Sequence, residues 1–290
     1  MENRSKKWFI LFAGPLIATF ALVVLVPFFM GIYYSFFQWD GVRTNPMVFV
    51  GLDNYIASFS DQAFRDSVWI TIKFTVIAVI SVNLVGLSLA LLVTTKLRTV
   101  NAARAMFFMP NLIGGLILGY IWQFIFTDGF RVVGESTGFD TVFKNWLLDP
   151  NLALLAIVVV FTWQMAGYIM IIYIAGIQGI PGETIEASKI DGANAWQRLR
   201  YVIVPLLMPS FTICLFLALS NGFNIYTVNL SLTNGGPYGS TELFALHIYD
   251  EIFGSSKYGY GQAKAVMFFL LISAITLTQV YFSKKKEVEM

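Results

Sequence analysis

Six long apolar runs, separated by polar connections, dominate the pattern of this chain. The first is the uncharged stretch from Trp8 to Trp39, with a core at 9–34, behind Arg4, Lys6 and Lys7. It is too long for a secretory signal and lacks a convincing small-residue cleavage site, so it reads as a retained span. Five further runs follow, at 74–95, 105–127, 152–178, 202–222 and 265–282. A helix needs about 20 apolar residues to cross the hydrocarbon core, and each run suffices. The pattern predicts an all-α membrane protein with six transmembrane helices in one domain over residues 1–290.

Lysine and arginine placement orients these spans. If the N-terminus is inside, the inner segments carry Arg4, Lys6, Lys7, Lys96, Arg98, Arg104, Lys189, Arg198, Arg200, Lys284, Lys285 and Lys286, twelve in all. The outer segments carry seven: Arg43, Arg65, Lys73, Arg131, Lys144, Lys257 and Lys264. Every inner segment has three, close to a span end, which predicts two cytoplasmic termini. The outer connections are longer. One contains Phe49-Val50-Gly51-Leu52-Asp53-Asn54-Tyr55, a turn entering a short helix. Another contains the turn Thr233-Asn234-Gly235-Gly236-Pro237, followed by an amphipathic pattern over 241–253.

One inner connection, residues 180–200, stands apart. Pro181 suits the first turn of a helix, because its missing N–H would be unpaired there anyway. Glu183 and Glu186 fall early, where the helix dipole favours negative charge. Ile185, Ile190, Ala193, Trp196, Leu199 and Val202 form an apolar stripe, interrupted at Gly192 by a residue that permits a bend or a close approach. The expectation is two short helices at an angle, projecting into the cytoplasm and suited to docking on a protein partner. The alternative is a helical connection lying on the membrane surface.

Composition narrows the function. Hydrophobic residues make up 57% of the chain and charged residues 12%, against roughly a quarter charged in soluble domains. The net charge of +2 carries no basic block for nucleic acid. No Asp, Glu, Lys, Arg or His falls inside the six runs, which disfavours proton coupling and voltage sensing but leaves sodium coupling open. No phosphate loop ending in Gly-Lys-Ser/Thr is present, so the chain does not bind ATP by that route. One histidine, His247, and one cysteine, Cys214, give neither a metal cluster nor a nucleophile with its base, which disfavours a membrane enzyme.

The polar residues within and beside the spans are uncharged. Gln164 and Tyr168 share a helical face, and Ser220, Asn221, Phe223, Asn224 and Tyr226 cluster at the outer end of the fifth run. Interhelical hydrogen bonding is one role for them. Holding a neutral, hydroxyl-rich solute is the other, since an amide offers both donor and acceptor and a ring offers a flat apolar surface.

Glu186-Ala187-Ser188, Asp191-Gly192-Ala193 and Pro205 resemble the Glu-Ala-Ala loop of binding-protein-dependent ABC importer permeases. Residues 175–181 resemble the lead-in found in the carbohydrate-uptake branch, and the outer stretch 232–237 with Ser240-Thr241-Glu242 is similar to the first, maltose-transporter-type permease of that branch. Ser188 stands where the family usually has a second Ala, and Leu199 replaces a common Phe. The resemblance implies a type I importer fold, a second permease as partner, two ATP-binding cassette subunits that bind ATP and Mg, and an extracytoplasmic sugar-binding protein. It implies that this chain binds no cofactor and is not itself an enzyme. The implied setting is a bacterial or archaeal cell membrane, the implied cargo a sugar, an oligosaccharide in particular. A self-sufficient sodium-coupled or facilitative carrier is the rival reading.

Overall fold

The computed structural model of the chain describes residues 2–94 and 99–285. Of the basic residues behind the orientation, Lys96, Arg98 and Lys286 lie outside the described residues, as does Thr95 at the end of the second run. The architecture is helical, with one two-stranded antiparallel ribbon, β1 (Phe37–Gln38) and β2 (Val48–Phe49). Among the described residues, five helices are long and apolar enough to cross a membrane: α1 (Leu11–Tyr34), α3 (Gln62–Val93), α5 (Gly115–Thr137), α6 (Pro150–Gly179) and α12 (Tyr258–Lys284). A sixth span arises if the bent pair α8 (Ala195–Leu206) and α9 (Met208–Phe223) is counted as one. Shorter helices are α2 (Asp53–Ser60), α4 (Val100–Phe108), α7 (Gly182–Ile190), α10 (Thr227–Leu232) and α11 (Phe244–Tyr249).

Local chemistry sets these boundaries. The Asp61 carboxylate accepts from the N–H groups of Ala63 and Phe64 and caps α3. Asp149 accepts from Asn151 and Leu152, and Pro150 takes the first helical position of α6. Pro27 and Pro205 each follow a wide π turn, at Ala21–Leu25 and Leu199–Ile203, which absorbs the missing N–H and the ring bulk.

Two runs differ from the pattern-based expectation. The run 105–127 is not one helix: α4 ends at Phe108, a 3₁₀ turn spans Met109–Leu112, and Ile113 and Gly114 are extended before α5 starts. Pro110 removes a backbone donor, and hydropathy alone does not register that break. The run 202–222 is bent by 71° at Leu207, between Pro205 and Pro209. The helices also overrun the apolar windows. α3 includes Lys73, and α12 includes Lys264, which is fully buried.

The chain divides into two compact units, Met1–Phe64 with Ile248–Leu271, and Arg65–His247 with Ile272–Met290. In the larger unit, Phe74, Ala78 and Val82 of α3 pack with Ile157, Val160, Phe161 and Ile169 of α6 and with Cys214 and Ala218 of α9. The hydroxyl of Tyr173 donates to Asn83 at 2.7 Å inside this core. α5 meets α10 closely: a β-carbon on Gly115 or Gly119 would collide with Thr227 or Ser231, the small-residue contact common between membrane helices. In the smaller unit, α1 leaves Phe12, Leu16 and Leu22 67–76% exposed, and no residue of its spanning window is buried. A surface of that kind needs lipid or another membrane chain against it.

Candidate functional site

The 180–200 connection is a helix–turn–helix. Pro181 precedes α7 rather than joining it, and its carbonyl accepts from Thr184 N–H at 3.1 Å. Glu183 sits in the first turn and Lys189 in the last, both in the sense the dipole favours. Gly192 then adopts φ +80°. Its N–H donates to Lys189 O at 3.1 Å and that of Ala193 to Ser188 O at 3.0 Å, a complete Schellman stop. Asn194 starts α8 with a reciprocal capping box to Gln197. The Arg198 guanidinium donates to Ala193 O at 2.9 Å and braces the corner.

Two members of the stripe face outward, whereas Ile185, Leu199 and Val202 are half-buried. Ile190 is 86% exposed and Trp196 69%; Glu186, Ala187, Asp191 and Gly192 are exposed as well, and Ala193 is half-buried. Ser188 alone of the triplet is buried, its hydroxyl donating to Ile185 O at 2.7 Å, so the hydroxyl that replaces the usual methyl is satisfied within the turn. Pro205, half-buried, sits just before the 71° bend. Among the described residues, and apart from its two chain neighbours, a β-carbon added at Gly192 would meet nothing within 4 Å. The glycine is therefore required by its backbone angle, and the space beside it is open to a partner.

A second feature is a cavity of about 220 Å³ in the larger unit. Gln164, Asn221, Asn224 and Tyr226 line it, joined by Asn111, Thr227, Phe161 and Met165. Asn221 donates to Leu217 O at 2.9 Å and Asn224 to Ser220 O at 2.8 Å, so each amide is fixed by its own helix while its carbonyl oxygen is left to accept. Gln164 donates to Ile113 O at 3.2 Å, satisfying a carbonyl at the break between α4 and α5. Tyr168, Ser220 and Phe223 lie outside the lining: Tyr168 packs on the core, Phe223 is buried, and Ser220 serves through its carbonyl. Asn111 and Thr227 were missed from sequence. The signal for Asn111 was its place directly after Pro110, inside an apolar run where only a break would expose it.

The third feature is ionic and belongs to the smaller unit. Lys264 Nζ donates to Asp61 at 2.7 Å and to Glu251 at 2.9 Å, with the Tyr260 ring centroid 4.3 Å away. Lys257 donates to Glu251 at 3.0 Å and Tyr260 to Asp61 at 3.2 Å. Burial pushes the Asp61 carboxyl up, but the hydrogen bond and charge of Lys264 outweigh it and hold the group at about 2. Glu251 follows the same pattern, raised by burial and lowered further by Lys264 and Lys257. Asp61, Lys257 and Tyr260 also border an open cleft of about 690 Å³ with Trp39, Asp40 and Asn54.

With this geometry in view, the known proteins similar to the chain can be compared. Residues 83–288 match the family described as binding-protein-dependent transport system inner membrane component. The probable starch degradation products transport system permease protein AmyD of Thermoanaerobacterium thermosulfurigenes is 48% identical over 283 residues, 98% of this chain and 96% of that protein. The multiple sugar-binding transport system permease protein MsmF of Streptococcus mutans is 32% identical, over 93% of this chain and 96% of that protein. Among solved structures, a chain of a bacterial ABC transporter involved in the import of the acidic polysaccharide alginate superposes with a TM-score of 0.83 at 18% identity, over 98% of both chains. That likeness shows a shared fold. The chain is a multi-pass membrane protein that belongs to the binding-protein-dependent transport system inner membrane components.

Proposed function

We propose that the chain is the translocating permease of an ATP-driven, binding-protein-dependent sugar importer, with an oligosaccharide as cargo. The observation that carries this reading is the cavity in which four of the predicted polar residues, Gln164, Asn221, Asn224 and Tyr226, converge without a charged side chain. Fixed amides with free acceptor oxygens beside aromatic rings match a neutral polyol. The names of AmyD and MsmF, which refer to starch degradation products and multiple sugars, support the same chemistry. At about 220 Å³ the cavity is below the ~300–1,000 Å³ of a complete ligand pocket. It therefore serves as one wall of a passage, and a second permease supplies the opposite wall.

In this reading both termini are cytoplasmic, and the helix–turn–helix at 182–206 docks on one of two ATPase subunits, which bind ATP and Mg. An extracytoplasmic binding protein delivers the sugar. The setting is the cell membrane of a bacterium or archaeon. The exposed face of α1 fits the bilayer or the second permease.

The test is uptake into vesicles. The chain with its second permease, ATPase and binding protein is expected to accumulate sugar only with ATP, and the chain alone to accumulate none. Asn221→Leu should lower uptake about three- to tenfold at subsaturating sugar without changing assembly, the loss of one neutral hydrogen bond. Uptake by the single chain without an ATPase would instead establish the self-sufficient carrier.

A further inference from the structure

A groove between α4 and α6 in the larger unit has no part in the transport path described above. It has a volume of about 380 Å³ and is bounded by Arg104, Phe108, Ile171, Ile174, Ala175 and Gln178. We infer that it binds one anionic phospholipid, the phosphate at Arg104 and an acyl chain along Phe108, Ile171 and Ile174.

The guanidinium carries the argument. Of its five N–H groups, one donates to Val93 O at 3.1 Å. Its Nε is buried and has no hydrogen-bond partner among the described residues. A backbone carbonyl is a single acceptor, whereas a phosphate accepts two parallel bonds from the guanidinium fork. Among the described residues no carboxylate pairs with Arg104; a cation beside apolar walls without a counterion is unfavourable, and a lipid phosphate supplies that counterion in place. Among the described residues, no acidic side chain borders the groove.

The rest of the lining matches the tail of the same ligand. Gln178 lies one residue from the end of α6, so it and Arg104 form the polar end near the membrane boundary. Phe108 is about 6 Å further along α4, and Ile174 and Ile171 are about 6 and 10 Å further along α6, at 1.5 Å per residue. Ile171 is 42% exposed, so the apolar end opens sideways rather than into the core. A free anion would satisfy Arg104 but would leave these walls uncovered. A phospholipid satisfies both. Which leaflet supplies it rests on the cytoplasmic assignment of the 180–200 side, where anionic lipids collect on basic pockets; the recognition chemistry does not.

The experiment is native mass spectrometry of the full purified chain, supplied with phosphatidylglycerol or with phosphatidylcholine of the same acyl chains. The wild type is expected to retain one phosphatidylglycerol in preference to phosphatidylcholine. Arg104→Gln should reduce that preference about fivefold or more, as expected for loss of a charge-assisted contact. Ala175→Phe keeps the cation but fills the groove, and should expel the lipid, so the inference does not depend on how well the arginine variant folds. Equal retention of both lipids by the wild type would overturn it. So would unchanged retention in both variants, or complete displacement by inorganic phosphate, which would make the site one for a free anion. Loss of the lipid on assembly, with a cross-linker at residue 171 reacting with the second permease, would give the groove to that chain instead. None of these readouts uses sugar or ATP, so they stand or fall apart from the transport reading.

Discussion

Gly192→Asp is expected to bring ATP-driven uptake by the assembled importer close to background while the chain still inserts and assembles. Gly192 has φ +80° and closes α7 through the paired bonds to Lys189 and Ser188. A left-handed backbone costs an ordinary L-residue roughly 1–2 kcal/mol, and Asp is among those that bear it best. The turn therefore survives. Apart from Gly192 and its two chain neighbours, no atom of the described residues lies within 4 Å of the added β-carbon, so the damage is expected on the partner: a new carboxylate beside Asp191 would enter the surface proposed to meet the ATPase. Gly192→Ala carries strain without charge and should lose only part of the activity. Parallel measurement of sugar uptake and ATP hydrolysis checks this. Hydrolysis that persists while uptake falls more than about tenfold, well beyond the ~1–2 kcal/mol of strain, marks uncoupling, and wild-type uptake by Gly192→Asp would remove the docking role.

Lys264→Met is the substitution with the largest expected effect on stability. It removes the ammonium that bonds both Asp61 and Glu251 and leaves the bond of Lys257 to Glu251 in place. Breaking a buried pair by removing one partner typically costs about 3–5 kcal/mol, because the charge left behind is uncompensated. Asp61 and Glu251 keep 25% and 10% side-chain exposure, which places the cost near the lower end, about 3 kcal/mol. Adding Asp61→Asn and Glu251→Gln should recover much of it.

The same network predicts an acid limit. Asp61 titrates at about 2 in the folded chain against 3.8 ordinarily, so its contribution is complete above 3.8 and is lost as the pH falls toward 2. Thermal melting of the purified chain between neutral pH and about 2 should show this acid-side loss in the wild type and little of it in Lys264→Met.

The apolar runs and the helix–turn–helix were legible because each rests on neighbours in sequence. Pro181, Glu183 and Gly192 act within a few residues of themselves, and the folded turn uses each of them locally, whereas the capping box of Asn194 was not read from the sequence. The break at 109–114 was hidden because Pro110, Asn111 and Gly114 are diluted by the apolar residues around them. Once the chain breaks there, Gln164, 51 residues away, has a carbonyl to satisfy. The cavity was half legible. Asn221 and Asn224 reach it, whereas Tyr168, four residues on from Gln164 on a shared face, packs against the core. The ionic network was illegible, since Asp61 and Lys264 stand 203 positions apart and each looked like an ordinary charge in an outer connection.

Residues 182–206 are proposed to meet an ATPase. A photoreactive side chain placed at Ile190, 86% exposed at the end of α7, tests it directly in the assembled importer. A cross-link to the ATP-hydrolysing subunit is the expected result. Cross-links to lipid alone, or to the extracytoplasmic binding protein, would contradict it.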